Sequence, residues 1–233
     1  MDRIEASRRE AAGLRGQAVS EVTPSRRDFS QYVASSREAP AIIAHLTLRS
    51  TGWNRNQLLE HARACDDAEV AALSLSLLDD LTPEDLIAVG GVVTAAILRA
   101  DPLLDANQLY HSRLRGADAV VLPADALDAA DLGRLVDIAV SMHMSVVVEC
   151  ESRAAIEAAL RWPYTIIGAR ALEAARELGP LAPPTRTIVL LSEVGTRDEY
   201  QAARGYCDAV IVGPGALAGD DIAAALHALQ VQS

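Results

Sequence analysis

The stretch GADAVVLPADALDAADLGRLVDIAVSMHMSVVVE, residues 116–149, carries the reading of the fold. It opens on a short apolar run, Ala117–Leu122, that barely alternates. It passes through an amphipathic segment, Ala129–Met142, and closes on a second apolar run, Ser145–Glu149. Strict alternation would imply a strand with one wet face. A continuous run of Val, Ala and Leu implies a strand covered on both faces, as in a parallel sheet flanked by helices.

The same unit repeats in both directions. Upstream lie the runs Ala41–Leu46, Val70–Leu77 and Val92–Leu98, and downstream Thr165–Gly168, Thr187–Leu191 and Ala209–Gly213. The segments between them read as helices, near Gln57–Ala64, Pro83–Val89, Asp105–Arg115, Arg153–Leu160, Ala171–Leu178, Arg197–Ala203 and Ile222–Leu229. Thr82-Pro83 followed by Glu84 and Asp85, and Thr196 followed by Asp198 and Glu199, are helix starts. Eight strand–helix units in strict alternation predict an α/β fold, a closed (β/α)8 TIM barrel with its helices outside. A doubly wound open sheet is the alternative and would use fewer strands. Residues 1–40 read as an N-terminal helical arm and 41–233 as the barrel. Within the arm, Arg3–Leu14 and Ser25–Ser35 are expected helices, forming either a frayed extension or a lid over one barrel mouth.

Composition narrows the function. With 32 acidic against 21 basic residues the net charge is −11, which argues against nucleic-acid binding, since that needs a basic face. Every basic residue is arginine, so no lysine is available for a Schiff base or for acid–base work. The three cysteines, Cys65, Cys150 and Cys207, match no metal-ligand spacing and point to a reducing compartment. Met1–Arg15 is charged throughout, unlike a secretory leader, and no apolar run nears the roughly 20 residues that span a bilayer. The expectation is a cytoplasmic protein with neither metal nor cofactor, taking a small anionic molecule, and either a homo-oligomer or the partner of another subunit.

In such a barrel the reacting groups belong at the C-terminal ends of the strands. There the sequence offers His45, then Ser50, on the first unit, with Ser74 and Ser76 on the second. The third supplies Arg99 and Asp101, the fifth Glu149-Cys150, and the sixth Arg170. The seventh supplies Glu193 and Gly195, and the eighth Gly213-Pro214-Gly215. The catalytic candidates are His45, Glu149 and Glu193. His45 and Glu149 each follow an apolar strand, so facing one another they would share a proton as acid and base, or else make a structural hydrogen bond. Arg170 and Glu193 would form a bridge between strands six and seven. Ser50, Arg99, Arg170, Gly195, Gly213 and Gly215 are the substrate-binding candidates. The glycines would let backbone N–H groups approach an anion, though Pro214 removes one donor. The plainer reading is that they make tight turns. Cys150 is read as a buried inert thiol, and His61, His111, His143 and His227 as surface or packing residues.

These strand ends resemble those of the indole-3-glycerol-phosphate synthase family. The similarity runs through Ala41-Ile42-Ile43-Ala44, Ala72-Leu73-Ser74-Leu75, Ile97-Leu98-Arg99-Ala100-Asp101, Gly116 to Leu122, Val147-Val148-Glu149, Leu191 to Gly195 and Asp208 to Gly213, seven motifs in order. The resemblance implies a strand-five glutamate that takes part in dehydration, retained as Glu149. It also implies a second acidic residue, retained as Glu193, and it matches Ser50, Gly195 and Gly213. It further implies an acidic residue where His45 stands, lysines where Thr47 and Ala100 stand, and an aromatic where Pro102 stands. At Arg170 it implies an asparagine, and at Val194 and Pro214 the phosphate-loop serines. Loss of an essential general acid forfeits about 10²–10⁴-fold in rate. The favoured expectation is therefore a divergent barrel repurposed for cyclisation, dehydration or isomerisation of an aromatic or phosphorylated metabolite in specialised biosynthesis. The alternatives are a silent paralogue that binds a metabolite or a partner, and retention of the family's own reaction with rearranged groups.

Overall fold

A computed structural model describes residues 2–17, 19, 21–48, 51–217 and 221–231. Eight parallel strands close into a barrel in sequence order: β1 (Ala41–Leu46), β2 (Ala72–Leu75), β3 (Ala96–Pro102), β4 (Ala119–Pro123), β5 (Ser145–Cys150), β6 (Ile166–Ala169), β7 (Ile188–Val194) and β8 (Ala209–Val212). Pairing of Ala41 with Ala209 and Ala44 with Val212 joins the last strand to the first. The open sheet is excluded.

Helices follow the strands outside the barrel. They are α3 (Arg55–Asp67), α4 (Pro83–Gly90), α5 (Ala106–Leu114), α6 (Ala129–Ser141), α7 (Arg153–Ala159), α8 (Leu172–Leu178), α9 (Arg197–Ala203) and α10 (Ile222–Gln230). Their starts are chemically specified: Asn54, Thr82, Asp105 and Thr196 each complete a capping box, which satisfies amide groups the first turn leaves unpaired.

Each strand is apolar on both faces, which is why its sequence does not alternate. Ile43, Leu98, Val121, Val147, Val189 and Ile211 fill the barrel interior, while Ile42, Ile97, Val120, Val148, Leu190 and Val210 pack against the helices. Gly168 makes room inside, since a β-carbon there would lie 2.8 Å from both Leu191 and Val147. The third run is displaced from its expected place. The strand begins at Ala96 rather than Val92 and continues through Arg99 to Pro102.

The arm divides between the two ends of the barrel. Its first helix, α1 (Arg3–Leu14), lies over β3 and α5 with its first turn at the C-terminal mouth. Its second, α2 (Phe29–Val33), is shorter than the expected 25–35 and plugs the floor. Phe29 and Val33 are fully buried against the inner cluster, and the Ser30 amide donates to Ser145 Oγ at the foot of β5. No described helix is long and apolar enough to cross a membrane.

Candidate active site

Side chains at alternate positions of a strand share a face, so the parity of each strand decides what enters the mouth. His45 has the parity of Ile43, Ser74 that of Ala72, Ala100 that of Leu98 and Glu149 that of Val147, and all four of these partners lie in the inner cluster. His45, Ser74 and Ala100 line one mouth cavity and Glu149 lines the other.

His45 is nearly buried. Its Nδ1 is 3.3 Å from Ser74 Oγ and its Nε2 is 3.6 Å from Glu193 Oε1. Glu193 follows a register shift between Leu190 and Glu193, and this irregularity brings its carboxylate over β8. There Gly213 leaves room for the carboxylate, since a β-carbon would come to 2.5 Å of Glu193 Oε2 and push that side chain aside. The expected pairing of His45 with Glu149 is replaced by His45 with Glu193.

Glu149 belongs to a second group. Its side chain is 4 % exposed, with Arg3 Nη1 at 3.6 Å and Arg170 Nη1 at 4.0 Å. Glu149 Oε2 is buried and has no hydrogen-bond partner. Burial pushes its carboxyl above the ordinary range, outweighing the opposite pull of Arg3 and Arg170. Arg170 reaches Glu151 as well, at 3.5 Å, so the expected bridge from Arg170 to Glu193 is replaced by one to Glu149 and Glu151.

Arg3 is the mouth residue that the sequence reading did not single out. From the first turn of α1 its Nη2 donates to the Ala100 carbonyl at 2.6 Å. The guanidinium therefore stands beside the strand-three position where the family resemblance implies a lysine. With Ile4, it puts α1 between two cavities of about 180 and 210 Å³. Neither motif nor spacing announces Arg3; only the docking of α1 brings it here.

Arg99 requires a correction. It has the parity of Ile97, faces outward, and is fully buried between β3, α5 and α1. Its Nη2 donates to both Glu10 oxygens at 2.7 Å, its Nε to Asp101 at 2.8 Å and its Nη1 to Ser112 at 3.0 Å. It anchors α1 and has no access to substrate. Asp101 in turn accepts from Ser76 Oγ and the Leu77 and Leu78 amides, which shapes the loop after β2.

The glycine loops are already engaged. The Gly195 and Thr196 amides donate to Glu199 Oε2 at 2.7 and 3.0 Å, and these bonds, Gly195 first, hold the Glu199 carboxyl below the usual range. The Gly213 amide donates to the Val194 carbonyl. Gly215 is exposed in the turn after β8, and Ser50 lies outside the described residues. The Cys150 thiol is buried and pushed up to about 12, chiefly by burial, which removes it as a nucleophile. His61 packs against Trp53 with ring centres 4.4 Å apart. Among the described residues no group of three or more His, Cys, Asp or Glu side chains is placed to hold a metal ion.

Comparison with known proteins agrees with the strand-end motifs. The model of the indole-3-glycerol phosphate synthase family matches residues 2–229. The indole-3-glycerol phosphate synthase of Legionella pneumophila (strain Lens) is 26 % identical over 222 residues, covering 87 % of this chain and 85 % of the relative. That of Polaromonas naphthalenivorans (strain CJ2) is 30 % identical over 207 residues, covering 82 % and 79 %. That of Variovorax paradoxus (strain S110) is 32 % identical over 182 residues, covering 70 % and 67 %. With its closed eight-stranded barrel and a family match that spans nearly its whole length, the chain belongs to the indole-3-glycerol phosphate synthase family.

Proposed function

We propose that this barrel is a lysine-free enzyme of proton transfer, acting on a small anionic metabolite by cyclisation, dehydration or isomerisation. The observation that carries the reading is Glu149. It is a buried carboxyl at the edge of a cavity, raised above the ordinary range by burial, whose Oε2 accepts no hydrogen bond among the described residues and has the Arg3 guanidinium at 3.6 Å. In its protonated form a carboxyl in that position can act as a general acid, and a raised carboxyl holds that proton to higher pH. His45, braced by Ser74 and Glu193, is the complementary base. When Glu149 is protonated, Arg3 loses its carboxylate partner and becomes available to a substrate carboxylate or phosphate, while Arg170 keeps Glu151. Arg3 cannot itself deliver a proton near neutral pH, because a guanidinium stays charged, so its contribution is electrostatic. Each mouth cavity is smaller than the roughly 300 Å³ that ligand sites usually offer. Arg3 lines one and Ile4 the other, so the first turn of α1 is the element whose movement would enlarge the site.

The test is depletion of metabolites from a cell extract by the purified protein, followed by mass spectrometry, with His45→Ala and Glu149→Gln beside the wild type. Consumption of a metabolite that both variants fail to consume supports the assignment; undiminished consumption by both refutes it.

A silent, ligand-binding role has its own support. Glu199 occupies the Gly195 and Thr196 amides that an incoming phosphate would use, and Arg3 fills the mouth. That reading predicts binding of a metabolite without conversion. Growth of a strain lacking indole-3-glycerol-phosphate synthase on this chain would support instead the family's own reaction.

A further inference from the structure

The cationic groups of the mouth are engaged: Arg3 with Glu149, Arg170 with Glu149 and Glu151, and His45 with Glu193. The opposite end of the barrel differs. A groove of about 440 Å³ lies between the C-terminal ends of α4 and α5 and the arm, and Arg26, Arg27, Arg113, Arg115 and Asp118 line it. Asp118 immediately precedes β4, which places the groove at the floor.

Two of these arginines are structural. Arg27 pairs with Asp118 at 3.3 Å and donates to the Gly90 and Val93 carbonyls at 2.9 and 2.7 Å. Arg113 donates to Asp118 at 2.7 Å and to the Ala117 carbonyl at 2.6 Å. Together they more than neutralise the one carboxylate. Arg113 Nε is buried with no acceptor. Among the described residues, Arg26 and Arg115 make neither a side-chain hydrogen bond nor an ion pair. Burial, and then the nearby Arg99, push the Arg115 guanidinium below its usual range, with Glu10 and Glu84 pulling the other way.

Four arginines against the one carboxylate of Asp118 make the groove lining positive, and on a chain of net charge −11 that is not a by-product of general basicity. The acidic remainder disfavours an extended polyanion such as nucleic acid or an anionic membrane, whereas a groove of about 440 Å³ matches a small anion that touches the arginines alone. Ile87 and Leu114, 54 % and 37 % exposed, flank the groove and suit an apolar body attached to the anionic head. A second cavity shares Arg26 and Arg27 and continues past His143 and Tyr164. Asp28 lines it too, but accepts from Ser30 Oγ and the Gln31 amide.

We infer that the floor groove is a binding site for a small polyvalent anion, a phosphate- or carboxylate-bearing metabolite, held by Arg26 and Arg115 and separate from the mouth. The test is calorimetric titration with inorganic pyrophosphate at low ionic strength, where guanidinium contacts are least screened. The wild type should bind with a dissociation constant on the order of 1 mM or tighter. The R26A/R115A double variant should bind at least about tenfold more weakly, while R26K/R115K, which keeps both charges, should stay within a few-fold of wild type. R170A should leave binding unchanged. Absence of binding to the wild type at about 10 mM, undiminished binding by R26A/R115A, or loss of binding in R170A would each overturn the proposal.

Discussion

Replacing Glu10 by alanine probes what holds α1 on the barrel. Glu10 accepts from Arg99 Nη2 through both oxygens at 2.7 Å and from Gln108 Nε2 at 2.7 Å. The variant leaves one edge of a guanidinium unpaired, and that guanidinium is 0 % exposed. Breaking a buried ion pair costs about 3–5 kcal/mol. Two features place this case at the low end. Arg99 keeps Asp101 and Ser112 as partners, and the Glu10 side chain is 19 % exposed, so water can reach the gap. The expected loss is about 3 kcal/mol. At about 2.1 cal/mol/K per residue, a chain of 233 residues has an unfolding entropy near 0.5 kcal/mol/K, so Tm should fall by about 6 °C. Glu10→Gln retains an acceptor and should lose about half as much. Glu5→Ala removes only exposed pairs with Arg8 and Arg9, and should cost under about 1 kcal/mol. Urea unfolding gives the energies, and hydrogen exchange across residues 3–14 reports the release of α1. If Glu10→Ala cost no more than Glu5→Ala and left exchange in α1 unchanged, Arg99 would not be the anchor.

The Glu149→Gln variant should show a pH-dependent stability difference. Burial raises the folded carboxyl above the ordinary carboxylate range, so the folded state holds the proton longer. Wild-type stability therefore falls as pH rises from about the unfolded value through the raised one, and Gln, which never ionises, escapes that loss. Urea midpoints should diverge in favour of Glu149→Gln across that window and converge below it; a constant difference would contradict the raised carboxyl. Gly168→Ala places a methyl 2.8 Å from Leu191 and Val147 inside the barrel, and should cost about 1–3 kcal/mol by urea unfolding. Cys65, Cys150 and Cys207 are buried, each pushed up to about 12 first by burial. A chromogenic disulfide at pH 8 should titrate none of them in the native protein and all of them in urea, so native reactivity would refute their burial.

Where a local pattern decides structure, the sequence was readable. Capping boxes at Thr82 and Thr196 start their helices where residue type predicts, and the unalternating apolar runs correspond to strands covered on both faces. Position at the ends of apolar runs marked His45 and Glu149 as mouth candidates, and in the structure both share the inward parity of Ile43 and Val147. The same rule applied to Ile97 would have turned Arg99 outward. The register shift before Glu193 defeats parity altogether, because an irregular strand no longer alternates.

What the linear chain determined is the barrel, the family and the absence of any lysine ammonium, since periodicity, motif order and composition are properties of neighbours along the chain. Tertiary structure alone decided that His45 pairs with Glu193 and that Arg3 stands beside Ala100. It also decided that Glu199 takes the Gly195 amide and that four arginines meet at the floor. Each of those contacts joins groups brought together by the curvature of the closed barrel or the docking of a helix, and such distances are set by packing rather than by spacing in the chain.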